Sequence, residues 1–234
     1  MKKMLLFVCA VLACFSLHAQ YFCTVEGTEL HYVNYDEAGQ SVSNETATVS
    51  FVGRNDGKVT ACYINKIVTN KLKNNTSYTR FDWSYDGNQT VCAEDLVYGP
   101  YIDSDSDPDK YDTAARTAMR EELKYKGDNS FVLKEHAEGG ESMPDRSYAL
   151  IVKMLKNEIT ISGAAYMGEE QISTTAGKFD CIKITYLKRT KVVLKSTTHR
   201  VTEWYAEGIG LVKSESYDMK GKSAGKTLLV KIVK

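Results

Sequence analysis

Asp103, Asp105 and Asp107 alternate in the stretch Asp103-Ser-Asp105-Ser-Asp107-Pro108-Asp109, the opening spacing of a calcium loop, where hard carboxylate oxygens converge on a divalent cation. Two positions break the pattern: Pro108 stands where such a loop turns on glycine, and Ala114 stands where a bidentate glutamate closes it. A solvated acidic surface loop accounts for the same residues. Asp112-Thr113-Ala114 matches a short pattern that carries O-linked sugars in some exported bacterial proteins, with Thr113 as acceptor; a helix cap at Asp112 or Thr113 explains it equally. Asn-x-Thr/Ser triplets begin at Asn44, Asn74, Asn75 and Asn88 and matter only on a eukaryotic secretory route.

His31, His136 and His199 are far apart, with no His-Glu-x-x-His run, no paired ligand spacing and no nucleophile elbow around a serine. The sequence therefore assigns no catalytic residue and calls for no cofactor. An envelope hydrolase remains an alternative only if a histidine and carboxylates converge in space. Aromatic residues are plentiful: Tyr32, Tyr78, Phe81, Trp83 and Tyr85 recur at alternating positions and, with Trp204, are candidates to line a pocket for an apolar or lipid-like ligand. Core packing and cross-strand pairing are the competing use of such residues.

These side chains must be positioned by strands. Leu30, Tyr32 and Asn34 share one face and His31, Val33 and Tyr35 the other, and Thr46, Thr48 and Ser50 alternate with Ala47, Val49 and Phe51. Asn55-Asp56-Gly57 and Asp86-Gly87-Asn88 are hairpin turns, because Asp-Gly pairs reach the left-handed backbone that tight turns require. Strands are predicted over 59–68, 77–85 and 90–97, and, after an interruption, over 131–135, 148–155, 159–167, 179–188, 191–204, 210–218 and 227–233. Asn157 and Lys220-Gly221-Lys222 mark further turns, and Gly139-Gly140 opens a loop running through Met143-Pro144-Asp145. The interruption, near 99–129, reads as the acidic loop followed by one amphipathic helix over 112–126, with Ala115, Ala118, Met119 and Leu123 at helical spacing and Gly127 ending it. The fold class is mostly β: a curved antiparallel sheet or half-barrel with one short helix.

Lys2 and Lys3, an apolar stretch from Leu5 to Phe15, and Leu17-His18-Ala19 form the pattern of a secretory signal peptide over 1–19, leaving 20–234 as a single β-rich domain. A buried helix would need a polar face, which Met4 to Leu17 lacks. Val11-Leu12-Ala13-Cys14 offers a lipid anchor at Cys14 as the alternative, although the apolar run continues past that cysteine. Removing 1–19 takes two lysines from an even balance of 30 basic and 30 acidic residues, so the remaining chain is expected to offer no basic field for nucleic acid or anionic lipid. No later segment is apolar for long enough to be a transmembrane helix. In an oxidising compartment Cys23, Cys62, Cys92 and Cys181 favour at least one disulfide, with three connectivities open, against the alternative of four separate buried thiols.

Ile172-Ser-Thr-Thr-Ala-Gly-Lys-Phe-Asp-Cys181-Ile-Lys-Ile184 and Thr202-Glu-Trp-Tyr-Ala-Glu-Gly-Ile-Gly-Leu-Val-Lys213 resemble the TapB-like family of exported bacterial proteins, a domain of unknown function, and Gly139-Gly-Glu-Ser-Met-Pro-Asp145 resembles a loop of that group. The likeness is strongest in the C-terminal half. It implies an incurved antiparallel sheet akin to the half-barrels of periplasmic lipid carriers, and it brings no catalytic residue. Turns and packing explain the same motifs without chemistry. The expected function is that of a periplasmic, outer-membrane-associated or secreted protein that binds an apolar ligand or an envelope partner without catalysis, with an adhesion or structural component as a further alternative.

Overall fold

The computed structural model of the protein describes residues 20–70, 76–95, 123–152 and 155–234. Among these residues thirteen strands form one antiparallel sheet: β1 (Glu29–Tyr35), β2 (Ser41–Asn55), β3 (Lys58–Thr69), β4 (Thr76–Tyr85), β5 (Gln89–Asp95), β6 (Leu123–Gly127), β7 (Phe131–Lys134), β8 (Arg146–Val152), β9 (Leu155–Thr174), β10 (Gly177–Val192), β11 (Lys195–Ala206), β12 (Gly210–Asp218) and β13 (Ser223–Val233). Their order in the sheet is β6-β8-β9-β10-β11-β12-β13-β1-β2-β3-β4-β5-β7. Two meanders thus meet where the last strand pairs with the first, Leu30 opposite Ile232 and Val33 opposite Leu228.

The order forces the sheet to roll. Its edge strands, β6 and β7, are consecutive in the chain and joined by Asp128-Asn129-Ser130 alone. Twelve strand spacings laid flat would separate the edges by about 58 Å, whereas a link from residue 127 to 131 spans at most about 14 Å. The edges therefore approach each other without pairing, and the sheet does not close into a barrel. Side chains bridge the seam: the Arg146 guanidinium on β8 lies 4.8 Å from the centre of the Phe131 ring on β7, and the Lys134 N–H on β7 donates to the Tyr166 hydroxyl on β9 at 2.8 Å.

Inside the roll lies the segment that precedes β1. Phe22 is fully buried and stacks on Trp83 with ring centres 5.8 Å apart; Tyr21 and Cys23 are buried beside it. The Tyr63 hydroxyl donates to the Cys23 carbonyl at 2.7 Å, and Tyr21 N–H donates to Thr90 Oγ1 at 3.1 Å. The Tyr21 amide and the Cys23 carbonyl thus each find an interior partner, as buried backbone groups require.

The turns form as their residues dictate at Asp56-Gly57, where both residues have positive φ, and at Gly87 and Gly221. Elsewhere the structure corrects the sequence reading. No helix occurs among the described residues, and Leu123–Gly127, the end of the predicted helix, is instead edge strand β6 paired with β8. Residues 112–122 of that predicted helix lie outside the described residues. Asn157 sits within β9 opposite Val192 rather than at a turn. β10 continues past Lys188, and the hairpin turns at Val193-Leu194 with Val193 at φ +53°, a conformation costing a β-branched residue about 1–3 kcal/mol.

The expected disulfide does not form: Cys23, Cys62, Cys92 and Cys181 are not joined to one another. Cys62 on β3 and Cys92 on β5 are held apart by β4, about 10 Å at two strand spacings, beyond the roughly 7 Å that a disulfide bridges between Cα atoms. Burial pushes the Cys181 thiol up to about 12, the state of an inert packed side chain.

Candidate functional site

Where the two edges of the sheet come together, a half-open cavity of about 260 Å³ remains. Strands from both sides of the seam wall it: Phe81 and Trp83 from β4, Phe131 from β7, and Tyr186 and Tyr205 from β10 and β11 supply ring surface. Ile161 and Leu211 add aliphatic surface, while Arg146, Lys188 and Glu203 are its charged groups. β11 aims Glu203 and Tyr205 inward because they lie two residues apart on one pleat face.

Glu203 is the polar centre of this wall. Its Oε2 accepts the Tyr205 hydroxyl at 2.9 Å and its Oε1 accepts Ser214 Oγ–H at 3.5 Å, with a further hydrogen bond from Tyr186. Desolvation raises its pKa above the ordinary glutamate value, against the opposing pull of the tyrosine hydroxyls, Lys188 and Arg146. The two tyrosines lose acidity for the same reasons, burial first and the neighbouring carboxylate second. A carboxyl ringed by hydroxyls beneath aromatic faces can orient the polar end of an otherwise apolar molecule.

Of the aromatic residues singled out by alternation, the structure brings Phe81 and Trp83 to the cavity. The others lie elsewhere. Tyr32 is buried with its hydroxyl on the Leu211 carbonyl at 3.0 Å, Tyr85 donates to Glu135 Oε2 at 2.7 Å, and Tyr78 is buried in β4. Trp204 is also buried, stacked under the Lys213 and Lys183 ammonium groups at 4.4 and 5.3 Å, its Nε1–H donating to Glu170 at 3.0 Å. Glu203, Arg146 and Phe131 escaped the sequence reading. The only available signal was Glu203 at an inward register between Val201 and Tyr205.

The histidines do not converge. His31 on β1 lies 3.0 Å from Glu29, His136 follows β7 with its ring almost wholly exposed, and His199 sits on β11 opposite Asp218. None of the three lines the cavity. Among the described residues no group of three His, Cys, Asp or Glu side chains could hold a metal ion. Asp103, Asp105, Asp107, Thr113 and the whole of Met1–Ala19, including Cys14, lie outside the described residues.

The motifs that carried the family likeness serve folding. Thr202–Lys213 is the β11–β12 hairpin, in which the Gly208 N–H holds the Gln20 carbonyl at 2.8 Å. Gly210 sits beside Tyr21 at φ +107°, a backbone conformation that a side chain would strain. The Gly139–Asp145 loop is pinned to β9 by Gly140 N–H to the Tyr166 carbonyl at 2.8 Å and Met143 N–H to the Ala164 carbonyl at 2.7 Å.

A single rolled antiparallel sheet, not closed into a barrel and filled in part by the segment that precedes β1, defines the class: a β protein built on one curved sheet. Within that class the chain belongs to the DUF3108-like family, whose family model matches residues 25–229. It is that description, not a TapB-like one, that the match carries. Two solved structures share the fold. One, from Bacteroides fragilis, is described as an exported protein with a YmcC-like fold; it is 20% identical, with 92% of this chain and 100% of that chain covered at a TM-score of 0.68. The other, from Parabacteroides distasonis, is described as a lipoprotein; it is 16% identical, with 92% and 99% covered at a TM-score of 0.69. No curated protein matches the sequence.

Proposed function

We propose that this chain is exported to the cell envelope, where it binds, without catalysis, an apolar ligand with one polar end. The observation that carries the reading is the aromatic cavity at the seam with the hydroxyl-ringed Glu203 in its wall. Export is supported by the signal-like residues 1–19 and by the descriptions of the two structural relatives as an exported protein and a lipoprotein. The size of the space limits the guest: a cavity of roughly 150 Å³ takes benzene, so about 260 Å³ admits a fused bicyclic ring or a short acyl segment. Entry runs through the unpaired seam, where no ladder hydrogen bonds need to break.

Titration with the neutral fluorophore N-phenyl-1-naphthylamine tests this. The expected result is saturable enhancement at one site per chain and a rise in Tm, both lost in Leu211→Trp, whose indole fills the cavity. Phe81→Ala, which enlarges it, keeps the enhancement with a changed affinity. No enhancement by the probe, or equal enhancement in Leu211→Trp, overturns the reading.

A further inference from the structure

The β10–β11 hairpin ends in three consecutive apolar residues that stand exposed among the described residues. Val192 is 45%, Val193 56% and Leu194 96% exposed, and Leu194 is the most exposed large apolar side chain among the described residues. The hairpin also outruns a neighbour: the pairing of β11 with β12 ends at His199 and Asp218, so residues 195–198 project past that strand by about 13 Å.

The turn itself is built against backbone preference. Elsewhere in this protein the left-handed turn positions are held by Gly39, Gly57, Gly87, Gly208 and Gly221, or by Asp56. Among the described residues, only here does a β-branched residue, Val193, occupy one. A glycine would relax the backbone and remove the apolar side chain. The strain is thus tied to presenting that side chain to the outside.

Charge surrounds the tip. A cleft of about 410 Å³ on the adjoining strands is lined by Lys126, Lys156, Arg189 and Lys191, with Glu158 as its one acid. Glu158 is shared by Lys156 and Lys191, so one carboxylate meets two ammonium groups while Lys126 and Arg189 add two further positive charges. Lys195 stands opposite Val192 at the tip. The chain as a whole is neutral, so this is a local concentration of cations beside an apolar point.

We propose that this hairpin is a docking finger for an anionic lipid bilayer: Val192, Val193 and Leu194 enter the interfacial layer while Lys126, Lys156, Arg189, Lys191 and Lys195 meet lipid phosphates. Apolar tip and basic collar are the two components that peripheral membrane binding combines, and each is weak alone. The finger is separate from the seam cavity, so its failure leaves the ligand reading intact.

Flotation of the purified protein with vesicles of phosphatidylglycerol and phosphatidylethanolamine tests the proposal. The protein is expected to float with these vesicles, to bind pure phosphatidylcholine at least tenfold more weakly, and to be released by raised salt. Leu194→Asp is expected to lose binding at least tenfold with an unchanged Tm. Val193→Gly separates the two roles of that residue: binding falls while Tm holds or rises. Leu194→Trp reports insertion directly, with an emission blue shift on vesicle addition and quenching by brominated acyl chains. Absence of flotation, equal binding to phosphatidylcholine, flotation of Leu194→Asp like wild type, or unshifted emission from Leu194→Trp overturns the proposal. So does a concentration-dependent dimer by gel filtration that Leu194→Asp abolishes, which would assign the tip to a second copy of the chain.

Discussion

A carboxylate facing a cavity wall of aromatic rings is stable only if its desolvation is offset, and at Glu203 the offset is partial. Hydroxyls of Tyr205, Tyr186 and Ser214 point at it, and Arg146 and Lys188 stand near, yet burial still raises its pKa. The folded protein therefore holds this proton more tightly than the unfolded chain does. Its contribution to stability is complete below the unfolded glutamate value and is lost as pH rises through the folded one. Glu203→Gln keeps an acceptor for Tyr205 and removes the charge. It is expected to melt above the wild type at pH 8 and level with it near pH 4, each kcal/mol moving Tm by about 2–4 °C in a chain of this size. Thermal melts at both pH values check this, and a variant less stable than wild type at pH 8 would show that the charge is net favourable. Sequence alternation could nominate Phe81 and Trp83 because ring-bearing strands announce themselves. It could not nominate Glu203, since a glutamate on a strand is ordinarily solvated and its burial depends on which strands lie across the cavity.

Elements that carry their own turn chemistry were legible from the chain. Asp56-Gly57 and Gly221 have the positive φ that their types permit, and the strands between them follow two-residue alternation. Two elements were not. The β10–β11 turn falls on Val193-Leu194, residues with every propensity for continued strand, because pairing with β9 extends β10 to Val192. The segment around Phe22 has no periodicity at all, and its burial is set by the hollow it enters rather than by its own sequence. That insertion has a measurable weight. Phe22 is fully buried against Trp83, so Phe22→Ala removes a ring and leaves a cavity, at a cost of about 3–5 kcal/mol. Denaturant titration should show the midpoint falling with an unchanged slope, and tryptophan emission should report a wetter Trp83. Because Trp83 also walls the seam cavity, naphthylamine binding should weaken in the same variant. An unaltered midpoint would mean that residues 20–23 are dispensable to the core.

At the scale of the whole molecule, the defining contact joins the first strand to the last. Local patterns specify a meander but carry no sign that β13 pairs with β1, a contact that closes a loop of most of the chain length, nor that β6 leaves β5 and skips β7 to pair with β8, and neither pairing has a short-range signature. The consequence is that the C-terminal strand is the seventh of thirteen, at the middle of the sheet. Leu229 is fully buried there, opposite Tyr32 on β1. A chain ending before Ser223 would not lose a peripheral strand but would divide the sheet into β6-β8-β9-β10-β11-β12 and β1-β2-β3-β4-β5-β7, each with a new unpaired edge and an opened core. Such edges template pairing between chains. Truncation of residues 223–234 is therefore expected to give insoluble protein with no cooperative thermal transition, in contrast to Leu194→Asp at the hairpin tip, which should stay soluble and melt as the wild type does. Solubility, circular dichroism and calorimetry on the two variants decide it. A truncated chain that remains monomeric and melts cooperatively would show that each half-sheet is a folding unit, and the roll would then be a docking of two domains rather than one continuous sheet.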